Sequence, residues 1–267
     1  MSGLLGFYRT AIRVSATNQL QYPASNYFQL MAMVLEAVVY LALWQAVVRA
    51  GGGNLQGWTV HDVAAYFVVW TLVRNMGAAF TPYGFEERIR HGVFSTFLLR
   101  PRHPIHYDIA EFVGWKAVML VLWLPVAVAM SLLFRPVLTV TPWEVVTFVA
   151  ACWNAFLIRS LYLWFVGMAS FWTTRATGLF DMFFAVELLL SGRLVPMPFL
   201  PEGVRDLADV LPFKWVFAFP IDSLVGHLSA GQLLHGLTMQ LGWLAVGAVL
   251  VSVTWRFAVR RYSAVGN

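Results

Sequence analysis

Long apolar runs alternate with short polar breaks along this chain, and the runs exceed what the half-buried elements of a soluble domain need. A helix that crosses a bilayer takes about 20 mostly apolar residues. Six segments read as spanning or entering a membrane: 27–48, 63–79, 109–134, 143–172, 177–190 and 233–259. The fifth is unusually short. Breakers separate them at Gly51-Gly52-Gly53, Thr81-Pro82, Arg135-Pro136, Thr141-Pro142 and the proline-rich run 196–201. No repeat, low-complexity tail or separate soluble domain interrupts the series. The pattern predicts an all-α polytopic membrane protein of six transmembrane helices, with residues 1–267 as a single transmembrane domain.

Three stretches depart from the simple alternation. In the first 17 residues, Leu4, Leu5, Phe7, Tyr8, Ala11, Ile12 and Val14 share one helical arc, and Arg9, Thr10, Arg13 and Thr17 share the other. This predicts an amphipathic helix within 1–25, lying in the membrane interface with its arginines near anionic headgroups. The alternative is a helix packed on the bundle.

The second stretch, FEERIRHGVFSTFLLRP at 85–101, lies in the loop 82–107 between the second and third spans. Phe85, Ile89 and Val93 form one helical stripe, from which Phe97 drifts, and Glu86 faces Arg90 at i,i+4. Glu87, Arg88 and His91 lie elsewhere around the helix. Gly92 weakens the middle, and Arg100-Pro101 ends it because a residue before proline avoids helical angles. A short helix with an apolar ridge and charged flanks suits a groove on another protein. The alternative is a helix that only lies on lipid.

The third stretch, 191–231, is too apolar for a solvated loop, yet no piece of it is long enough to cross. The apolar run stops at Ser191-Gly192-Arg193. Pro196 and Pro198 follow, then Leu211-Pro212-Phe213 and Phe219-Pro220. Irregular backbone at membrane depth is tolerated where protein or a water-lined cavity covers it. The stretch predicts short re-entrant helices on the outer side, with a partly ordered external loop as the alternative.

Composition fits this reading. The chain has 267 residues, 60% hydrophobic and 12% charged, and a mean hydropathy of +0.69. A soluble domain carries about 25% charged residues. Twelve Trp and nine Tyr suit interfacial anchoring as well as the bundle. The single cysteine, Cys152, permits no disulfide within the chain. The N-terminal stretch lacks a long apolar core and carries Arg9 and Arg13 in its middle, so it does not read as a signal peptide.

The placement of cations sets the expected orientation. With the N-terminus in the cytoplasm, Arg9, Arg13, Arg88, Arg90, Arg100, Arg102, Arg175, Arg260 and Arg261 lie inside. Arg49, Arg135, Arg193, Arg205 and Lys214 lie outside, most of them in one long loop. Both termini are then cytoplasmic, in a multi-pass protein of the bacterial inner membrane.

Candidate chemistry is sparse. No phosphate-cradling G-x-x-x-x-G-K-[ST] occurs, and neither lysine, Lys116 nor Lys214, follows a glycine. If the protein uses ATP, another polypeptide binds it. Neither G-x-S-x-G nor H-E-x-x-H is present. His103 and His106 lack a further ligand cluster, so no metal site is expected, and no nucleic-acid partner either. What stands out is ionisable residues inside the spans: Glu36, Arg74, Glu111, Lys116, Arg159, Asp181 and Glu187. An ionised side chain at the bilayer centre costs at least about 2.5–3.5 kcal/mol. These residues must pair across helices or line a translocation route. Glu36 with Arg74 or Arg159 is one such pairing.

The six-span layout with an N-terminal interfacial helix resembles the permease subunits of ABC-2-type transporters. So does the acid- and base-rich stretch followed by Gly92 and then Leu98, Leu99, Arg100 and Pro101. Ser191-Gly192 followed by Pro196, Pro198 and Pro212 resembles that family's short external helices. The resemblance implies that Phe85, Glu86, Glu87, Arg88, Ile89, Arg90, Val93 and Arg100 form a coupling helix that docks on an ATPase subunit. It implies a complex of two ATPase subunits, which bind the ATP and magnesium, and two permease chains, identical or related. Such a complex moves its cargo by alternating access, and aromatic spans suit an apolar or amphipathic cargo: a drug, lipid, glycolipid or peptide. The competing classes are a proton- or ion-coupled carrier, which often shows inverted repeats, and a membrane-embedded enzyme, for which no nucleophile–base pair or ligand set is found.

Overall fold

The computed structural model describes residues 3–173, 175–226 and 228–262, and these residues are almost entirely helical. Helix α1 (Leu4–Gln21) is followed at once by α2 (Pro23–Ala50), which Pro23 opens at its first turn. A proline there costs nothing, because the amide it lacks has no partner within the helix. The glycine run ends α2, as expected, and leads into a two-residue hairpin, Asn54–Leu55 with Trp58–Thr59. Then come α3 (Val60–Met76), α4 (Pro82–Arg90), α5 (Phe94–Leu98), α6 (Ile105–Phe134) and α7 (Pro142–Gly167). A 3₁₀ turn extends α7 to Phe171. Helix α8 (Thr177–Leu190) precedes three short helices, α9 (Glu202–Val210), α10 (Pro212–Val216) and α11 (Ala218–Val225). Helix α12 (Ala230–Arg261) closes the chain.

Local chemistry explains the boundaries. Thr59 with Asp62, Thr141 with Glu144 and Ser229 with Gln232 form reciprocal capping boxes at the starts of α3, α7 and α12. Each satisfies two amides that the helix leaves free.

Among the described residues, four helices are long and apolar enough to cross a membrane: Pro23–Ala50, Ile105–Phe134, Pro142–Phe171 and Ala230–Arg261. The expected second and fifth spans fall short. Helix α3 has 17 residues and α8 has 14, which at 1.5 Å per residue gives about 25 Å and about 21 Å against a core of about 30 Å.

Helix α3 is nonetheless the centre of the molecule. Every residue from Val63 to Thr71 is buried. A helix apolar on all sides belongs in a core, and α2, α6 and α11 enclose it. The outer helices show the reverse. Leu35, Val39 and Leu43 on α2, and Val121, Leu124, Val128 and Leu132 on α6, are exposed. Apolar side chains of this extent face lipid or another chain.

Helix α1 packs along α6. Ser15 Oγ donates to the Glu111 carbonyl at 2.6 Å, and Tyr8 Oη meets His106 Nδ1 at 2.7 Å. A β-carbon on Gly114 would lie 2.6 Å from the Ile12 carbonyl oxygen and from Ser15 Cβ, so only glycine permits this approach. The apolar arc read from the sequence packs only in part: Phe7 and Tyr8 meet Tyr107 and His106 of α6. Leu5 is 86% exposed and Val14 54%, while Ser15 is buried. Arg9, Thr10, Arg13 and Thr17 stay exposed on the polar side, as their arc predicts.

Gly114→Leu is expected to lift α1 from α6, since overpacking costs about 1–3 kcal/mol. Hydrogen exchange across 4–21 should then accelerate about tenfold or more, with the amides of α7 and α12 unchanged. Unchanged exchange in α1 would show that the contact does not hold the helix.

Candidate functional site

Two constellations bring ionisable residues together. The first is buried among α2, α3, α7 and α8. Arg159 of α7 holds Glu187 of α8 through two parallel bonds, Nε to Oε1 at 2.6 Å and Nη2 to Oε2 at 2.9 Å. Its remaining Nη1 donates to the Gly77 carbonyl at 2.8 Å, just beyond α3. A fork-to-fork pair of this kind is the strongest geometry for such ions. The two side chains are 13% and 8% exposed.

Glu36 of α2 serves two cations. Arg193, just past α8, donates to it at 2.5 Å, and Arg74 of α3 lies 3.6 Å away. Of the two partners the sequence suggests for Glu36, the structure selects Arg74, whereas Arg159 is committed to Glu187. Arg193 was expected only as an outer-loop charge, and the sequence carries no signal that it folds back onto α2. The Nε atoms of Arg74 and Arg193 are buried without a hydrogen-bond partner. Lys116 of α6 lies deeper. Its ammonium donates to the Ala78 carbonyl and sits 3.8 Å from the centre of the Phe156 ring, a cation–π contact.

The other two acids expected inside spans stand apart. Glu111 is exposed on α6. Asp181, exposed near the start of α8, accepts from Tyr83 Oη at 2.5 Å.

The segment after α8 covers the cluster. Ser191 is buried, and Ala218 N donates to its carbonyl at 2.9 Å. Gly192 has φ +83°, and a β-carbon there would lie 2.8 Å from Ala218 Cβ, so both conformation and space demand glycine. The next three carbonyls meet aromatic donors in turn. Tyr66 Oη bonds Gly192 at 2.9 Å, Trp70 Nε1 bonds Arg193 at 3.1 Å, and Trp44 Nε1 bonds Leu194 at 3.1 Å. Irregular backbone is thereby satisfied inside the protein. Pro196 precedes the 3₁₀ turn Met197–Phe199 that contains Pro198, and Pro212 opens α10.

The second constellation is the elbow α4–α5. The single helix predicted over this stretch is two, because Gly92 takes φ +69° and breaks it. The expected ridge is correspondingly not one surface. Phe85 is fully buried against Trp164, with ring centres 4.9 Å apart. Ile89 packs on the same cluster, and only Val93 is exposed. The outward surface is Glu87, Arg90, His91, Val93, Leu99 and Arg100. Glu87 pairs with both Arg90 and His91, and Leu99 is 88% exposed.

Inward, the elbow is tied to four other helices. Glu86 Oε2 accepts from the Ala176 amide at 3.2 Å, at the start of α8. Arg88 lies between the Phe80 and Phe97 rings and bonds buried Asp108 of α6 at 2.8 Å. The other Asp108 oxygen accepts from Trp164 Nε1 of α7 at 2.9 Å. Tyr262, beyond α12, accepts from the Ser95 amide at 3.0 Å and donates to the Gly92 carbonyl at 3.1 Å. The elbow thereby contacts residues of α6, α7 and α12 and the start of α8. Asp108 was missed in the sequence. Its register with Trp115 and Lys116 on the buried stripe of α6 is the signal that distinguishes it from Glu111.

His103 and His106 hold no shared ligand position. His106 is engaged by Tyr8, and His103 Nδ1 accepts from the Ile105 amide at 3.3 Å. No group of three metal-ligating side chains occurs among the described residues.

Burial between Trp164 and Trp255 pushes the His103 imidazole down to about 4, and the neighbouring His106 adds to this. Between about pH 4 and the ordinary 6.5 the unfolded chain then binds the extra proton. His103 therefore contributes stability that is complete above about 6.5 and is lost as pH falls toward 4. Melting curves of the purified protein should fall more steeply over that range than those of His103→Gln. Parallel slopes would assign the acid sensitivity to other groups.

Compared with known protein families, residues 21–266 match the family model described as ABC-2 family transporter protein. The comparison with curated proteins returns no match.

Proposed function

The chain belongs to the ABC-2 family of transporter proteins, and on that footing we propose that it is the permease subunit of an ATP-driven exporter. The family match over nearly the whole chain carries this reading. Membership implies a multi-pass membrane subunit that works with an ATP-binding partner. In the proposed complex two ATPase subunits hold ATP and magnesium, and two permease chains, identical or related, enclose the route. Helices α3 and α8 complete six spans, the short α8 being extended by the covered segment after Ser191. Helix α1 lies in the inner interface, and α9–α11 form the re-entrant outer cap. Both termini face the cytoplasm of a bacterial inner membrane.

The elbow α4–α5 is the proposed coupling contact. Its exposed charges and apolar tips suit a groove on the ATPase, and its inward bonds join it to α6, α7, α8 and α12. Closure of the ATPases on ATP would then tilt those helices together and switch the cavity between two access states. The cargo is apolar or amphipathic.

The test is reconstitution with an ATP-binding subunit purified with the chain. ATP-dependent movement of a labelled amphipath across proteoliposomes is the expected result. Movement that follows an imposed proton gradient and ignores ATP would replace this reading with that of an ion-coupled carrier.

A further inference from the structure

The buried cluster has two halves of different character. Arg159 and Glu187 are the more buried and are mutually saturated, with the spare Arg159 donor on Gly77. Glu36, Arg74 and Arg193 are each 20–23% exposed on their side chains. One carboxylate there answers two guanidinium groups, and both Nε atoms lack a hydrogen-bond partner. Three arginines face two glutamates across the whole cluster, and Lys116 adds a further cation nearby. An uncompensated cation at membrane depth is costly and marks a pathway or a ligand seat more often than a scaffold.

The space agrees. Arg74, Arg159, Glu187, Ser191, Arg193 and Phe217 line a narrow cleft. Its free volume is about 10 Å³, roughly the room of one water. A neutral drug-sized molecule would need hundreds of cubic ångströms. What fits is one oxygen of an acidic group, held at the guanidinium edges, with the rest of the molecule outside. Leu35 and Val39 of α2, one residue before and three after Glu36, are exposed apolar side chains that suit an acyl chain.

We propose that Arg74 and Arg193 form a seat for the carboxylate or phosphate of an anionic amphipath, and that the exporter's cargo carries such a headgroup. The inference deepens the transporter reading and rests on it for the word cargo. Arg159 and Glu187 are the structural floor of the seat. Glu36 holds the two arginines in place between cargo molecules and competes with the ligand for them.

Binding to the purified full chain in neutral maltoside micelles tests this by native mass spectrometry, without any ATPase. The probes are dodecyl phosphate, laurate, dodecyltrimethylammonium and inorganic phosphate. The two anionic amphipaths should bind about tenfold or more tightly than the other two, the scale of one charge-assisted hydrogen bond. Arg193→Gln should remove that preference, and Arg193→Lys should keep most of it. Arg205→Gln, on the outer α9, should not change it. Glu36→Gln should strengthen anion binding, because it removes the competing carboxylate; a purely structural role for Glu36 predicts weakening instead.

Equal binding of all headgroups overturns the proposal. So does inorganic phosphate binding as well as dodecyl phosphate, or Arg193→Gln and Glu36→Gln weakening binding alike. If instead the preference holds but ATP drives no transport in the reconstituted complex, the seat stands and the exporter reading fails.

Discussion

Glu187→Leu is expected to prevent the protein from accumulating in the membrane. The substitution leaves the Arg159 guanidinium buried with one carbonyl, that of Gly77, in place of a bidentate carboxylate. Breaking a buried pair from one side costs about 3–5 kcal/mol, a large share of a typical stability of about 5–15 kcal/mol. The loss should appear as low yield and a melting temperature well below that of the parent. Removing both charges, in Arg159→Met with Glu187→Leu, should recover most of the loss, since apolar replacement of a whole buried pair is often neutral. A double-mutant cycle in neutral detergent separates these cases, because residues in direct contact couple strongly. If the single and double variants were equally unstable, the loss would not come from an unpaired Arg159 guanidinium.

The second large effect falls on the elbow. Val93→Asp with Leu99→Asp is expected to cut ATPase association by about 30-fold or more, because a central apolar anchor of an interface is worth about 2 kcal/mol or more. Val93 is 46% exposed and Leu99 is 88% exposed. Acids at these positions therefore leave the core intact, and the melting curve of the isolated permease should not move. Phe85 is unsuitable for the same experiment. It is fully buried against Phe94 and Trp164, and its removal would cost about 3–5 kcal/mol of folding energy. Ile89 has the same defect to a lesser degree. Pull-down with the ATPase subunit and ATP-driven transport are the measurements. Undiminished association and transport would remove the elbow from the coupling role.

These two sites differ in how far the sequence revealed them. Glu36, Arg74, Lys116, Arg159 and Glu187 were legible, because a charge within an apolar run signals itself one residue at a time. Of their partners, only Arg74 for Glu36 was among the pairings the sequence suggested. Arg193 looks like a loop residue until Tyr66, Trp70 and Trp44 draw residues 192–194 against α2 and α3. The elbow was legible as a charged surface, but helical periodicity assumes an unbroken helix. Gly92, with φ +69°, rotates everything after it. The stripe Phe85–Ile89–Val93 therefore divides into a buried anchor, a packed middle and an exposed tip.

The sequence by itself determined the membrane class, the long helices α2, α6, α7 and α12, and the breaks between them. Each of these depends on local composition: runs of apolar residues, capping pairs and prolines. It also supplied the charges that a bilayer would expel unless they were paired. Tertiary structure alone decided which charge meets which, that the 17-residue α3 is the hub, and that α1 rests on α6 at Gly114. Those outcomes are set by contacts between residues far apart in the chain. Hydropathy and periodicity average over neighbours along the chain, so they carry no information about such contacts.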